Sequence, residues 1–296
     1  MNAPPLRIVV GFSPGSASDD IANLIAQPLG EQLQRPVSIE RIPGDNGAHG
    51  ATAVARAPAD GNTLFVATLG THALAPHVRK DLPYDPQRDF EPVSLLTQSP
   101  MLLACHPALP VRDVQSLLAY ARANPGLLAY GTSAIGGAPH LAAELFQAVT
   151  GVQLRHACFD ETQQLYADLE TGRIALSFNN IMSMLPRCNA GKLRALGITG
   201  SRRSHVAPAV PTLTESDVAG SEMSNWIALV APRGTAAAQV NAISMAAQSV
   251  IDSAVVSAAL GAAGIAPCGS TPAELGQFID AELNRWNPVV ARFSQK

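Results

Sequence analysis

The sequence has little aromatic character and little charge. Of 296 residues, 5% are Phe, Trp or Tyr and 15% are Asp, Glu, Lys or Arg. That composition suits tightly packed α/β layers built on small side chains. A formal net charge of -3, with no run of Lys or Arg, argues against a nucleic-acid partner. The longest apolar runs are too short for a transmembrane helix. Met1 to Leu6 is too short for a signal peptide, which leaves a cytoplasmic protein or one whose export signal is absent from this sequence. Cys105, Cys158, Cys188 and Cys268 show no close metal-ligand spacing. Three disulfide pairings are open to them in an unknown compartment, so no bridge is predicted. The length accommodates one domain or two, with a large core.

Against that background the first stretch carries the most information. Ile8 to Val10 predicts a short strand buried on both sides, followed by Gly11-Phe12-Ser13-Pro14-Gly15-Ser16-Ala17-Ser18-Asp19-Asp20. Ile21, Leu24, Ile25 and Leu29 then share one face of a helix. Ser16 and Ser18 are candidate caps, and Asp19 and Asp20 suit the first turn. A small-residue loop at an open helix N-terminus leaves backbone N–H groups without partners, which makes an anion site without a basic side chain.

Gly11-Phe12-Ser13-Pro14-Gly15 also matches the G-x-S-x-G pattern of a nucleophile elbow. The chemistry fails, because the residue after the serine must give a backbone N–H to the oxyanion hole and Pro14 has none. Neither G-x-G-x-x-G nor a G-K-[ST] ending is present, so the loop is no nucleotide-phosphate loop either.

Strand, loop and helix then recur. Val37–Glu40 is a second strand, followed by the glycine-rich loop Arg41 to Gly50 and a helix of small residues over Ala51–Ala57. Leu64–Ala67 is a third strand, delivering Thr68-Leu69-Gly70-Thr71-His72-Ala73. This alternation indicates a mostly parallel sheet with flanking helices, with ligands outside the carboxyl ends of its strands. Further strands are expected at Val93–Thr97, Met101–Ala104 and Leu128–Gly131. The last delivers Thr132-Ser133-Ala134-Ile135-Gly136-Gly137 ahead of a helix from Pro139 to Val149, which repeats the first loop's architecture. Two such loops can hold the two ends of one anionic ligand in an interdomain cleft. Later strands are expected at Leu154–Cys158, Ile174–Phe178, Leu193–Thr199 and Trp226–Ala231, and a closing helix over Pro272–Phe293 broken by Pro288. His72 and His77 have no acidic or cysteine ligand at useful spacing, so no metal or other cofactor is assigned.

Several pieces in order resemble the substrate-binding proteins of tripartite tricarboxylate transporters, also called Bug receptors. They are Phe12 to Asp19, Pro43 to Gly50, Asp60 to Leu64, Gly70 to Ala73, Leu82 to Pro86, Gly191 to Leu196, Val230 to Pro232 and Gly269 to Pro272. The resemblance implies a two-domain periplasmic binding protein of type 2 arrangement with two crossovers. One domain would comprise residues 1–100 plus 226–296 and the other residues 101–225. It further implies a periplasmic receptor that carries a small carboxylate to membrane permease subunits; three small-residue loops at strand ends, with no candidate triad around Ser13 and no metal-ligand cluster, make a solute receptor and not an enzyme the expectation, and a monomer is expected. Ser13, Gly15, Ser16 and Ala17 would be the carboxylate-gripping turn, with Thr68, Gly70 and Thr71 in a second loop and Thr132, Ser133 and Ala134 in a third.

Two places depart from the family. Where members carry Tyr-Lys-Gly this chain has Phe159-Asp160-Glu161, and where they carry Asp-Asn it has Asn179-Asn180. The first change removes a cation and adds carboxylates near the expected site. The plain alternative is that Asp160 and Glu161 face solvent at the helix start; with Phe159, Asp160 and Asn179 instead counted as ligand-binding and Asp160 pointing inward, an amino acid, a hydroxy acid or an aromatic monocarboxylate is preferred to citrate, and a plain dicarboxylate stays open. The competing reading is an α/β enzyme acting on a small acyl or phosphorylated substrate, with His49, His72 or His140 as base. An interaction module without a pocket is the third class.

Overall fold

Leu6, Ile8, Val9 and Val10 lose all solvent contact in the first strand, β1 (Leu6–Val10), as the continuous apolar run requires. The computed structural model describes residues 4–133, 135–159 and 161–291. After β1 come α1 (Ala17–Leu33), β2 (Val37–Arg41), α2 (Ala48–Ala55), β3 (Thr63–Thr68), α3 (Ala75–Val78) and β4 (Phe90–Cys105). They are followed by α4 (Val114–Ala123), β5 (Ala129–Thr132), α5 (Ala138–Thr150), β6 (Arg155–Cys158), α6 (Thr162–Glu170), β7 (Leu176–Asn180), α7 (Ile181–Asn189) and β8 (Arg194–Ile198). The chain closes with β9 (Ser224–Pro232), α8 (Ala237–Asp252), α9 (Ala254–Ala262), β10 (Ala266–Pro267) and α10 (Pro272–Ala291).

Contacts divide the chain into two compact units. The first runs up to Gln98 and takes in Trp226–Gly261 and the chain from Ala266 onward. Its strands lie in the order β2-β1-β3-β9-β4, with β10 also on β4. β1 is parallel to β2 and β3, with Val10 opposite Arg41 and Val9 opposite Phe65, so three strand ends and their loops emerge on one edge. Ile21, Ile25 and Leu29 of α1 are buried, each contributing about 1.5–3 kcal/mol of apolar transfer. At the other end of the chain, buried Glu282 accepts the indole N–H of Trp226 at 3.1 Å and of Trp286 at 3.2 Å. Those two bonds satisfy polar atoms that the surrounding core would otherwise strand.

The second unit comprises Ser99–Asn225 and the short segment Ala262–Ile265. Its order is β4-β7-β5-β6, with β8 on the free side of β4. β5 is parallel to β6 and β7, whereas β7 and β8 run antiparallel to β4. Leu102, Leu165, Leu169, Ile181, Met184 and Ile198 form its core.

Three local expectations change. The sheets are mixed: the strand–helix–strand repeats are parallel as expected, but β9 enters antiparallel to β3. The strands expected at Val93–Thr97 and Met101–Ala104 are one strand, β4, running through Pro100. Pro100 cannot donate to a ladder, and none is asked of it. β10 pairs with Thr97 and Gln98 before it, and β7 pairs with Met101 to Cys105 after it. α10 likewise continues through Pro288, because Trp286 and Val290 are both buried and hold the helix on either side of the lost bond.

Candidate functional site

In the first unit, the loop after β1 closes on itself before α1 begins. Ser16 is the N-cap, and its hydroxyl accepts the Asp19 N–H at 3.3 Å. Its own N–H donates to Ser13 O at 3.2 Å. Asp19 is 3% exposed; one carboxylate oxygen takes the Gly15 N–H at 3.0 Å and the other meets Arg41 Nε at 2.6 Å. The N–H groups of Gly15 and Ser16 are therefore committed within the chain. Those of Ala17 and Ser18 have no acceptor among the described residues and stand at the positive end of α1. Ser13 and Gly15 are exposed, and Ser16 and Ala17 are half-buried.

The loop after β3 is tighter. Thr68 N–H donates to Thr71 Oγ1 at 3.0 Å, and Thr71 N–H returns to Thr68 Oγ1 at 3.2 Å. Gly70 to Leu74 form a wide π-helical turn. Tyr84 OH donates to Thr71 O at 2.7 Å, which fixes the turn from outside. His72 is fully buried, and burial pushes its imidazole down to about 3, so it stays neutral.

These two loops meet through a third, Gly44 to Gly50. Gly47 has φ +90°, and a methyl group on it would lie 2.7 Å from Thr71 Cγ2 and 3.1 Å from the Phe12 ring. Only glycine fits between them. A methyl on Gly11 would in turn come within 2.9 Å of Gly47 O. The preceding Asp45 and Asn46 also adopt left-handed backbone angles. Asp45 is held by Arg79, which also pairs with Asp81. Asn46 Nδ2 reaches toward Gly70, 3.8 Å from where a side chain there would begin. Asn46 was missing from the sequence-derived set of site residues. Its signal was the Asn-Gly pair inside a glycine-rich loop, where a left-handed turn is cheap and aims a polar side chain.

In the second unit, the loop after β5 carries Thr132 and Ser133; Ala134 lies outside the described residues. Thr132 is buried, and its Oγ1 lies 2.7 Å from His156 Nε2. The His156 ring stacks on Tyr130 at 4.9 Å and meets His140, tilted, at 4.5 Å. His140 Nδ1 accepts the Gly136 N–H at 3.2 Å and thereby ties the loop to α5. Burial, with His156 nearby, lowers His140 to about 4. Phe159 N–H donates to Thr132 O at 2.9 Å, and the Phe159 ring is half-buried against the unit's core. Asp160 lies outside the described residues. Asn179 is 5% exposed, and its side-chain oxygen accepts the Asn180 N–H at 2.9 Å. The unit's open cavity of 430 Å³, lined by Leu185, Cys188, Leu193, Arg194 and Val210 among others, contains none of these residues.

The arrangement offers backbone N–H groups, hydroxyls and an amide at strand ends, all suited to carboxylate oxygens. Among the described residues no histidine is hydrogen-bonded to Ser13, and no group of three or more His, Cys, Asp or Glu could hold a metal ion.

Known proteins match this architecture along its length. The family model described as "Tripartite tricarboxylate transporter family receptor" matches residues 21–294. Protein BugT of Bordetella pertussis is 32% identical over 99% of this chain and 90% of its own length. A solved structure described as R. palustris Rpa4515 with adipate is 34% identical, with a TM-score of 0.91, covering 97% of this chain and 96% of that one. MatC (Rpa3494) from Rhodopseudomonas palustris, with bound malate, is 30% identical, with a TM-score of 0.88, covering 97% and 98%. Residues 12–19, 43–50 and 70–73, which carried the resemblance in sequence, are the segments that fold into the joined loops of the first unit. The chain belongs to the tripartite tricarboxylate transporter receptor family, the periplasmic solute receptors that bind small carboxylates and deliver them to a membrane permease.

Proposed function

We propose that this receptor grips one carboxylate of a small organic acid on the joined loops of its first unit. The donors are the Ala17 and Ser18 N–H groups, the Thr68 hydroxyl and the Asn46 amide. Thr132, Ser133, Ala134, Phe159 and Asn179 of the second unit are proposed as ligand-binding residues as well. The observation that carries this reading is the glycine junction at Gly47, which locks the loops after β1 and β3 against one another so that their donors share one edge of the sheet. Diacids of the adipate and malate type are the first candidates, because those acids are named with two relatives of this chain. The protein acts as a monomer with two domains, residues 1–100 plus 226–296 and residues 101–225, and turns nothing over. His72 is sealed from solvent and His140 Nδ1 is occupied by Gly136, which weakens the enzyme reading for both.

A thermal-shift screen of small carboxylates tests the proposal, since a ligand binding only the native state raises the melting temperature by mass action. Adipate, malate, amine-bearing acids and aromatic monocarboxylates belong in it, each repeated on Asp160→Asn. Diacids raising the melting point most, equally in both proteins, fit the reading. An advantage for amine-bearing acids that Asp160→Asn abolishes makes Asp160 the specificity element instead. No shift with any carboxylate, or steady turnover of one by pure protein, overturns it.

A further inference from the structure

The ligand-binding reading leaves the buried imidazole of His72 without a role. The His72 imidazole lies among Phe65, Phe90 and Tyr84, with ring centroids 5.8, 4.8 and 6.2 Å away. Its Nδ1 is 3.0 Å from Thr71 Oγ1. Its Nε2 is buried with no hydrogen-bond partner among the described residues. A neutral imidazole carries one proton, on either nitrogen. A proton on Nε2 would bury an N–H donor with no acceptor, whereas a proton on Nδ1 leaves only an unpaired lone pair, the better tolerated of the two.

The choice of nitrogen sets the direction of every hydroxyl in the loop. With the proton on Nδ1, Thr71 Oγ1 accepts from His72 and from Thr68 N–H, and both lone pairs are filled. Its own proton turns to Thr68, whose Oγ1 and carbonyl oxygen each lie 3.3 Å away. The Thr68 hydroxyl, already accepting the Thr71 N–H, then has no acceptor left in the group and must send its proton outward. With the proton on Nε2, Thr71 would donate to His72 and keep a lone pair free for Thr68, and the outward donor would be consumed inside the loop.

We propose that His72 is a positioning residue that, through Nδ1–H and Thr71, fixes Thr68 as an obligatory donor and so selects an acceptor, a carboxylate oxygen, over a donor-only group such as an ammonium at that point. This rests on the reading of the first-unit loops as the ligand site. Long-range proton–nitrogen correlation spectra of the nitrogen-15-labelled protein report the tautomer directly, with the His72 signals assigned by their loss in His72→Asn. A pyrrole-type Nδ1 and a pyridine-type Nε2 are expected; the reverse overturns the proposal whether or not any acid binds. Titration calorimetry with adipate and with malate then compares wild type, Thr68→Val, His72→Leu and His72→Asn, each shown to be folded by its melting curve. The asparagine amide nitrogen can stand where Nδ1 stood and keep the donor to Thr71. For whichever acid binds, Thr68→Val and His72→Leu are expected to weaken affinity by about tenfold or more, the scale of one hydrogen bond to a charged group. His72→Asn is expected to stay near wild type. Equal losses in His72→Leu and His72→Asn overturn the positioning role. Failure of both acids on the wild-type protein overturns the ligand assignment, and the tautomer alone then judges His72.

Discussion

Arg41 Nε stands 2.6 Å from Asp19 Oδ1, so the N-terminus of α1 already holds an anion of the chain's own. Asp19 is nearly sealed from water, and Arg41 is about one-third exposed. Truncating the cation would leave a buried carboxylate with only the Gly15 N–H as a partner among the described residues. Arg41→Met is expected to destabilise the protein by about 1.5–3 kcal/mol. Urea unfolding at neutral pH checks this, and an unchanged midpoint would show that water replaces the arginine.

Gly47 makes a second expectation concrete. Alanine there meets both a left-handed backbone, at φ +90°, and the Thr71 methyl 2.7 Å away. The combined cost of strain and overpacking is about 2 kcal/mol or more. Gly126→Ala is the control, since it shares the positive φ but has open space around it. Denaturation of the two variants should separate crowding from backbone conformation.

Stability should depend on pH through the buried histidines. Burial takes His72 from an ordinary value near 6.5 to about 3, and His140 to about 4. Between these limits the unfolded chain binds protons that the native protein refuses. The stabilisation is therefore complete above about pH 6.5 and is lost as pH falls toward the folded values. Each such group adds a slope of up to about 1.4 kcal/mol per pH unit within its window. Unfolding free energies measured at pH 7 and 5 should fall with acid, and His72→Phe should flatten the fall.

The thiols differ enough to be ranked. Cys158 is exposed, whereas Cys105 is buried, and burial raises Cys105 and Cys188 to about 11. Cys268 is raised for the same reason. A disulfide reagent at neutral pH should therefore modify Cys158 first and Cys105 only on unfolding. Rapid modification of Cys105 in the native protein would contradict its burial.

Much of the architecture was legible because local signals agreed. Ile8 to Val10, the small-residue loop and the apolar face of Ile21, Ile25 and Leu29 specify a strand, a turn and a helix with no help from distant residues. The repeats at Leu64 and Leu128 did the same, and the order of short motifs carried the family. Prolines misled where partners outweighed propensity: β4 continues through Pro100 because its partners change there, and α10 continues through Pro288 because buried neighbours hold it.

The site divides along the same line. The sequence by itself determined which loops would follow which strands, and that those loops would be rich in hydroxyls and exposed N–H groups. Chain order and residue size dictate both. Only the tertiary structure decided which donors remain open. Asp19 is a favourable first-turn residue by local rules, yet the fold turns its carboxylate back onto Gly15 and Arg41 and commits one of the predicted donors. Asn46 gained its place because Gly47, far from both loops in sequence, packs between Phe12 and Thr71. His72, a candidate base in the competing enzyme reading, is instead enclosed by Phe65, Tyr84 and Phe90. Close packing and burial depend on contacts between distant segments, and local sequence signals do not encode them.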